Sequence, residues 1–368
     1  MSLLRSVARE LKDDAVGLAT TPVDTYREMR YTAEGVRKGE ISPVRPLKTL
    51  GITLGALVVV LALLFPIYWI LISALSGSGG SIYSVNGLRL LPENPSVQPF
   101  VWVLGDLIVP SYRVGLAIPF TDSALVFGTP RLEFLDASDY GVTSPSGFKR
   151  FFWNSLTVAI PTVILSMCLV VPGAYALSRR KFIGRRQILF GYVLLTQVGG
   201  GLGIALLIGL YTVFVQIGLN DSKLALSVYY AATAVPFNTW LLKTYMDGIP
   251  VSYEEAAVVD GAPAWRVVVE VILPLSKAGL ATVLIFTFLT GWTEFVVAQT
   301  LLGTENYTLP VGLFSLVSEY SVPWARFSAF ALTFASPIML VYLFAQRYIE
   351  GGLSFGGMEG SSRRRFSS

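Results

Sequence analysis

Six long apolar stretches dominate this chain, at about residues 50–75, 152–177, 187–210, 224–244, 279–301 and 327–347. Each reaches the length of about 20 residues that an α-helix needs to cross the hydrocarbon core of a bilayer. No water satisfies backbone N–H and C=O groups in that medium, so a spanning segment closes its own hydrogen bonds as a helix. An all-α membrane protein with six transmembrane helices is therefore expected. The charge content agrees, since 14% of the 368 residues are charged against about 25% in soluble domains. The first stretch starts near Leu50, too far in for a signal peptide, and it exceeds the roughly 7–15 apolar residues of such a segment. It is expected to stay as a membrane anchor.

Charge position predicts the orientation. Arg179, Arg180, Lys181, Arg185 and Arg186 crowd the short connection 178–186, and Arg363, Arg364 and Arg365 lie in the tail. The alternate connections hold scattered basic residues over a greater length: Arg89, Arg113, Arg131, Lys149, Arg150, Lys223 and Arg326. Basic residues collect on the cytoplasmic side, so both termini are expected there. The chain then divides into a cytoplasmic N-terminal segment (1–49), a first transmembrane helix (50–75), an extracytoplasmic insertion (76–150), a membrane core (151–350) with a cytoplasmic loop at 245–278, and a cytoplasmic tail (351–368).

Two of these parts carry further signals. Leu3, Leu4, Val7, Leu11 and Val16 recur at helical spacing among Arg5, Arg9 and Lys12, which fits either an interfacial helix on the inner leaflet or a solvated tail. The insertion opens on Ser76-Gly77-Ser78-Gly79-Gly80-Ser81, a flexible composition. It is too long for a bare loop and is expected to form a small lobe with short strands.

Composition also removes chemistry. Histidine is absent, so His-based catalysis, His metal ligands and His pH switches are excluded. The single Cys168 excludes a disulfide within the chain. No Gly-x-x-x-x-Gly-Lys-Ser/Thr phosphate loop occurs, so ATP and its Mg must bind another chain. No catalytic residue, metal site or resident cofactor is expected, and nothing points to nucleic acid.

The loop at 245–278 is built differently from an ordinary connection. Ser252 followed by Glu255 fits a capping box that would start a helix at Tyr253. Glu254 and Glu255 suit the positive end of that helix, while Ala256 and Ala257 keep one face small. Gly261 can take the left-handed conformation that stops it. Pro263 can then sit in the first turn of a second helix, and Pro274 marks the return towards the membrane. Two short helices at an angle, fixed to two spans, are expected.

Glu255-Ala256-Ala257, then Asp260-Gly261-Ala262, then Leu273-Pro274 resemble the EAA motif in the membrane subunits of ATP-binding-cassette (ABC) importers. Other segments resemble the carbohydrate-uptake branch, in particular the six-span subunit of the maltose-transporter type. They are Leu91-Pro92-Glu93-Asn94-Pro95-Ser96 after the first span, Trp153-Asn154-Ser155-Leu156 at the start of the second, and Ala174-Tyr175-Ala176-Leu177-Ser178-Arg179 with Phe182-Ile183-Gly184-Arg185 at its end. Pro236-Phe237-Asn238-Thr239-Trp240, Trp292-Thr293-Glu294-Phe295 and the glycine-rich stretch from Gln346 to Gly360 continue the match. The resemblance covers roughly 50–98 and 151–360. It departs where the insertion is longer than usual, where Thr293 stands for the usual Asn, and where Met358-Glu359 replaces a small-basic pair.

The resemblance implies a type I importer fold with an extra extracytoplasmic segment between helices 1 and 2. It implies that Glu255, Ala256, Ala257, Asp260, Gly261, Ala262, Leu273 and Pro274 form the coupling element that docks on the ATPase. The implied partners are a second permease subunit, homologous but a different chain, two ATPase subunits and an extracytoplasmic sugar-binding protein, in the lipid bilayer of the cell inner membrane. The implied cargo is a mono-, di- or oligosaccharide. A polyamine-like solute would call for more cavity carboxylates than Glu294. An ion-coupled secondary transporter would need several ionisable groups within the spans and leaves the loop unexplained.

Within the spans, Glu294 stands out because a charge at a helix centre costs roughly 2.5–3.5 kcal/mol on insertion scales. It can line the pathway and bond sugar hydroxyls, with Trp292 and Phe295 stacking on sugar rings, or it can be a structural carboxylate bonded to a neighbouring helix or to the partner subunit. The second reading is preferred, because the resembled subunit leaves most substrate contacts to its partner. Asn238, beside Pro236, either meets substrate or satisfies a carbonyl freed by the proline. Gly199, Gly200, Gly201 and Gly203 allow close packing or a bend. Asn220-Asp221-Ser222 and Asn306-Tyr307-Thr308 match glycosylation sequons, a pattern common by chance.

Overall fold

The structure is a computed structural model that describes residues 44–77, 83–84, 87–88, 91–92, 94–105, 108–109, 113–117, 124–128, 132–133, 142, 146–201, 203–317 and 322–362. The candidate interfacial helix at 3–16 and the three tail arginines lie outside the described residues. Contacts divide the chain into two units, residues 1–69 and 70–368.

The first unit contributes most of helix α1 (Val44–Ala74). Its apolar side chains are exposed all round, Leu57, Val58, Leu61, Leu63 and Leu64 among them. A helix that is apolar on every face suits lipid or another apolar helix rather than water. Pro66 lies within the helix without ending it.

The second unit is helical apart from its insertion. α2 (Gln98–Leu104) is followed by α3 (Phe148–Arg179), α4 (Arg185–Gly201), α5 (Gly203–Gln216) and α6 (Lys223–Asp247). Then come α7 (Ser252–Val259), α8 (Ala264–Leu275), α9 (Lys277–Thr293), α10 (Val296–Leu301), α11 (Leu309–Phe314) and α12 (Trp324–Ser362). The insertion, where short strands are expected, holds six of them: β1 (Tyr83–Ser84), β2 (Gly87–Leu88), β3 (Ile108–Val109), β4 (Arg113–Ala117), β5 (Ala124–Gly128) and β6 (Leu132–Glu133). They pair antiparallel as β1 with β2, β4 with β5 and β3 with β6. β4 and β5 pair with Arg113 opposite Gly128 and Ala117 opposite Ala124. β3 and β6 form a separate two-stranded pair.

Among the described residues, Lys48–Ala74, Phe148–Arg179 and Trp324–Ile349 are each long and apolar enough to cross a membrane. Ala264–Leu275 and Lys277–Thr293 make a fourth candidate as a pair bent by 83°. The remaining expected spans are helical but differ in physical detail. The third breaks between α4 and α5, where Gly203 has φ +37°, so the glycine run serves a bend. The fourth, α6, buries polar Ser227, Asn238 and Thr239, which lowers its apolarity while hiding that polarity inside the bundle. The fifth stops at Thr293, and Glu294 leaves the helix in an extended conformation. The sixth runs on through the glycine-rich stretch to Ser362.

Packing falls into three clusters. One joins Phe148 and Phe151 of α3 to Phe288 and Trp292 of α9, Leu309 of α11, Phe330 of α12, and Val101 to Val103 of α2. The short helix at the start of the insertion is therefore part of the core, with Arg326 5.0 Å above the Trp102 ring. A middle cluster joins Val158, Leu226, Tyr230, Ala298 and Leu301. A third joins Val170, Ala174, Leu242, Met246, Ile272 and Val283. α3 and α9 approach closely because Gly291 has no side chain, and a Cβ there would lie 2.9 Å from the Ala159 Cα. Small residues let helices meet this way without a hydrophobic driving force.

Gly291→Val should therefore lower stability by about 1–3 kcal/mol through overpacking, read as a lower midpoint of thermal unfolding in detergent. Gly209→Val is the control, since nothing lies within 4 Å of a Cβ there, and its midpoint should match the parent chain.

Candidate functional site

The loop between α6 and α9 folds as two helices, as its sequence leads one to expect, but by different local means. α7 starts at Ser252 with Val251 as N-cap, and no side chain caps it. The capping box expected from Ser252 and Glu255 does not form. Val251 is itself helical (φ −63°, ψ −24°), which draws Ser252 inside the first turn, where its Oγ no longer faces the free N–H groups. The end of α7 follows expectation. Gly261 has φ +80°. The Ala262 N–H donates to the Ala257 carbonyl and the Gly261 N–H to the Val258 carbonyl, both at 3.0 Å. That is the paired pattern of a Schellman turn.

Pro263 is the N-cap of α8 rather than a member of its first turn. Its carbonyl accepts from Arg266 N at 2.9 Å and Val267 N at 3.1 Å. α8 widens into a π-helical stretch over Val267–Ile272, then turns sharply at Ser276 into α9. π-turns inside helices concentrate at functional sites.

The inner face of α7 is tied to α3. Glu254 is buried and pairs with the guanidinium of Arg179, the last residue of α3, each side chain being 11% exposed. The Tyr175 hydroxyl donates to the same carboxylate at 3.2 Å, and Arg179 Nη2 donates to the Ile249 carbonyl at 2.8 Å. Beside this, Ser178 donates to Asp247 at 2.7 Å, joining the ends of α3 and α6. Ile272 of α8 is fully buried among Val170, Leu242 and Val283. The loop is thus fixed to three membrane helices at once.

No other described residue covers the outer face. Glu255, Ala256, Asp260, Gly261 and Pro274 are exposed, and Ala257, Ala262 and Leu273 are half-buried. Tyr253, Val258 and Trp265 are exposed around them, and Val259 is 86% exposed. A contiguous apolar patch edged by carboxylates on a polar connection marks an interaction surface. The motif residues singled out from sequence gather on this one element. The residues that hold it, Glu254, Arg179 and Tyr175, were not singled out there. The signal was present: adjacent glutamates point to different sides of a helix, so one of the two faces inward and needs a cation.

The residues expected along the pathway are placed in other ways. Glu294 sits in the break between α9 and α10 and caps α10. Its carboxylate accepts from Val297 N at 3.0 and 3.1 Å and from Ala298 N at 3.2 Å, and the buried Tyr230 hydroxyl of α6 donates to it. The structural reading of this carboxylate fits that geometry, because two backbone N–H groups and the Tyr230 hydroxyl donate to it. Trp292 is fully buried, lies flat against Phe288 and Phe334 and donates to the Phe334 carbonyl at 3.2 Å. Its expected stacking on substrate is corrected: no face of the ring is open. Phe295 is half-buried and packs on Phe314. Asn238 is buried and donates to the Ala234 carbonyl at 2.8 Å. That is two residues beyond the Ala232 carbonyl that Pro236 leaves without its helical donor, so the expected proline repair is corrected.

The end away from the loop is clamped by residues of α3. Asn154 donates to the carbonyls of Glu305 and Tyr307 at 2.8 and 3.0 Å and accepts from Lys223 at 2.9 Å. Ser155 accepts from Leu309 N at 2.7 Å and so caps α11. The Asn306 side chain donates to Asp221 at 2.9 Å, which engages the second sequon within the fold. Among the described residues no group of three or more acidic, Cys or His side chains converges on a metal-sized site.

Residues 148–354 match the family of binding-protein-dependent transport system inner membrane components. The chain is 33% identical over 214 residues to the inner membrane ABC transporter permease protein YcjP of Escherichia coli, covering 58% of this chain and 75% of that one. It is 35% identical over 215 residues to the galactooligosaccharides transport system permease protein GanQ of Bacillus subtilis, covering 58% and 75%. It is 33% identical over 269 residues to the maltose/maltodextrin transport system permease protein MalG of Vibrio vulnificus, covering 69% and 89%. In fold it is similar to a chain of a bacterial ABC transporter involved in the import of the acidic polysaccharide alginate, with a TM-score of 0.62 and 21% identity over 84% of this chain and 98% of that one.

Arg179→Met should cost about 3–5 kcal/mol by leaving Glu254 buried without its cation, and the double variant with Glu254→Gln should recover much of that loss. Thermal unfolding of the four chains of the cycle reads the coupling. Glu294→Ala should lower stability by about 0.5–2 kcal/mol through the lost cap, whereas a carboxylate serving substrate alone would leave the unfolding midpoint unmoved.

Proposed function

This chain belongs to the family of binding-protein-dependent transport system inner membrane components, and from that premise we propose that it forms half of a sugar-translocation pathway driven through its 245–278 loop. It is a permease subunit of an ABC importer, a transport subunit rather than an enzyme. Such subunits work with a second permease, ATPase subunits and a binding protein. In our reading the second permease is a homologous but different chain, two ATPases carry ATP and Mg, and the binding protein lies outside the cell. The cargo is an oligosaccharide or smaller sugar. The relatives named for maltose, maltodextrin and galactooligosaccharides support that class.

One observation carries the coupling role. The loop has an inner face locked by Glu254, Arg179 and Ile272 and an outer face of Tyr253, Val258, Val259 and Trp265 that is exposed among the described residues. An ATPase docked on the outer face would move a body that cannot yield locally. α7 is closed by its Schellman turn, and α8 enters the core directly. The displacement then reaches α3, α6 and α9 together, which is what rigid-body alternating access requires. The basic connections and tail support both termini in the cytoplasm, on the same side as the loop and as ATP.

Glu294 and Asn238 act in this reading as supports of the pathway wall, and the interruption at Glu294 is where the wall can bend. Phe295 keeps a partly open ring for substrate contact.

Val259→Asp should weaken retention of the ATPase subunit at least tenfold, since it places a charge in the centre of an apolar interface. The unfolding midpoint of the isolated chain should stay the same, because Val259 is 86% exposed. Co-purification and substrate-stimulated ATP hydrolysis of the reconstituted complex read the result. Full retention and full stimulation would overturn the docking role of this face.

A further inference from the structure

A groove of about 190 Å³ runs between α3, α9 and α12, on the side of the bundle where the coupling loop emerges. Its walls are apolar: Met167, Leu280, Leu284 and Phe344, floored by Ala281 and Ala345. Its mouth is polar, formed by Lys277 and Tyr348. Lys277 is exposed and makes no ion pair among the described residues. Arg347 lies against the mouth, its guanidinium 4.4 Å from the Phe344 ring and 4.8 Å from the Tyr348 ring. It donates to the Tyr348 hydroxyl at 3.1 Å, and its Nε is buried without a partner among the described residues.

From Lys277 to Leu284 the groove follows α9 for seven residues, about 10 Å at 1.5 Å per residue. Lys277 opens that helix, whose N-terminal N–H groups add a partial positive charge at the same mouth. A cationic mouth at the end of the spans with an apolar channel leading inward is complementary to one class of molecule. We propose that this groove binds a single anionic phospholipid of the leaflet on the coupling-loop side. Its headgroup phosphate would sit between Lys277 and Arg347, and one acyl chain would lie along Leu280, Leu284 and Met167.

The position gives the lipid a consequence. The groove wall starts at Lys277, one residue past the bend at Ser276 where α8 meets α9. A lipid seated there braces that corner, and it favours whichever arrangement of the loop keeps the mouth formed. Basic pockets between spans on the cytoplasmic side capture anionic headgroups in this manner.

The test is native mass spectrometry of the purified full-length chain in mild detergent, titrated in turn with phosphatidylglycerol and phosphatidylcholine. One phosphatidylglycerol should be retained in preference to phosphatidylcholine. Lys277→Gln should weaken that retention about fivefold, as expected for one basic group near a charged headgroup. Leu284→Trp, which fills the channel and leaves the mouth intact, should abolish the preference. Both variants should be checked for an unchanged unfolding midpoint, and Leu284→Met replaces Leu284→Trp if the latter fails to fold, with a smaller loss expected. Equal retention of the two lipids, or variants that behave as the parent, would overturn the proposal in favour of ordinary solvating lipid. A disulfide formed between Ala281→Cys and a cysteine placed in the second permease subunit of the assembled complex would overturn it in favour of a protein interface.

Discussion

The buried pair between Glu254 and Arg179 is the contact on which the rest of this arrangement depends. It sits where the chain leaves the bilayer, between the last residue of α3 and the inner face of α7. An unpaired charge at such depth costs several kcal/mol, so neither residue can be withdrawn alone. Around it the Tyr175 hydroxyl and the Ile249 carbonyl satisfy the remaining atoms. The result is a loop whose exposed face is displayed by a rigid support, although it lies between two membrane helices and would otherwise be a mobile connection.

The same economy of polar groups explains the interruptions in the spans. A break frees backbone N–H and C=O groups that apolar surroundings cannot satisfy, and two helix starts are closed by specific side chains. The α9 break is closed by Glu294, which accepts from the first N–H groups of α10 and from Tyr230. The α11 start is closed by Ser155 from α3. Glu294 and Ser155 are thus attached to helix ends. This is how the Glu294 carboxylate is accommodated between the spans, and why its presence there need not signal cargo.

Much of the fold and of the coupling site was legible in the sequence. The apolar runs mark the helices because lipid leaves the backbone no other satisfied form. Glu255, Ala256, Ala257 and Gly261 mark the loop because a short helix with a small face and a left-handed stop has few alternative readings. The insertion was less legible. Its strands pair only over two to five residues, too short for an alternating pattern to emerge, and α2 is a core element only because α12 and α3 cover it. Trp292 misled because an aromatic beside a carboxylate looks the same whether it faces a cavity or a neighbouring Phe.

By itself, the sequence determined that this chain is a bundle of membrane helices with a two-helix loop set between two of them. Periodicity, apolar length and turn chemistry are local properties, and one segment suffices to state them. Only the tertiary structure decided which glutamate of the adjacent pair faces inward, that the capping box stays unformed, that Asn238 bonds back to Ala234, and that Lys277 and Tyr348 line one groove. Those outcomes depend on contacts between residues up to 75 positions apart, as for Arg179 and Glu254. Such distances close only when the helices pack, and the helices pack as they do because Gly291, Ala159 and the buried aromatic rings fit together in one way.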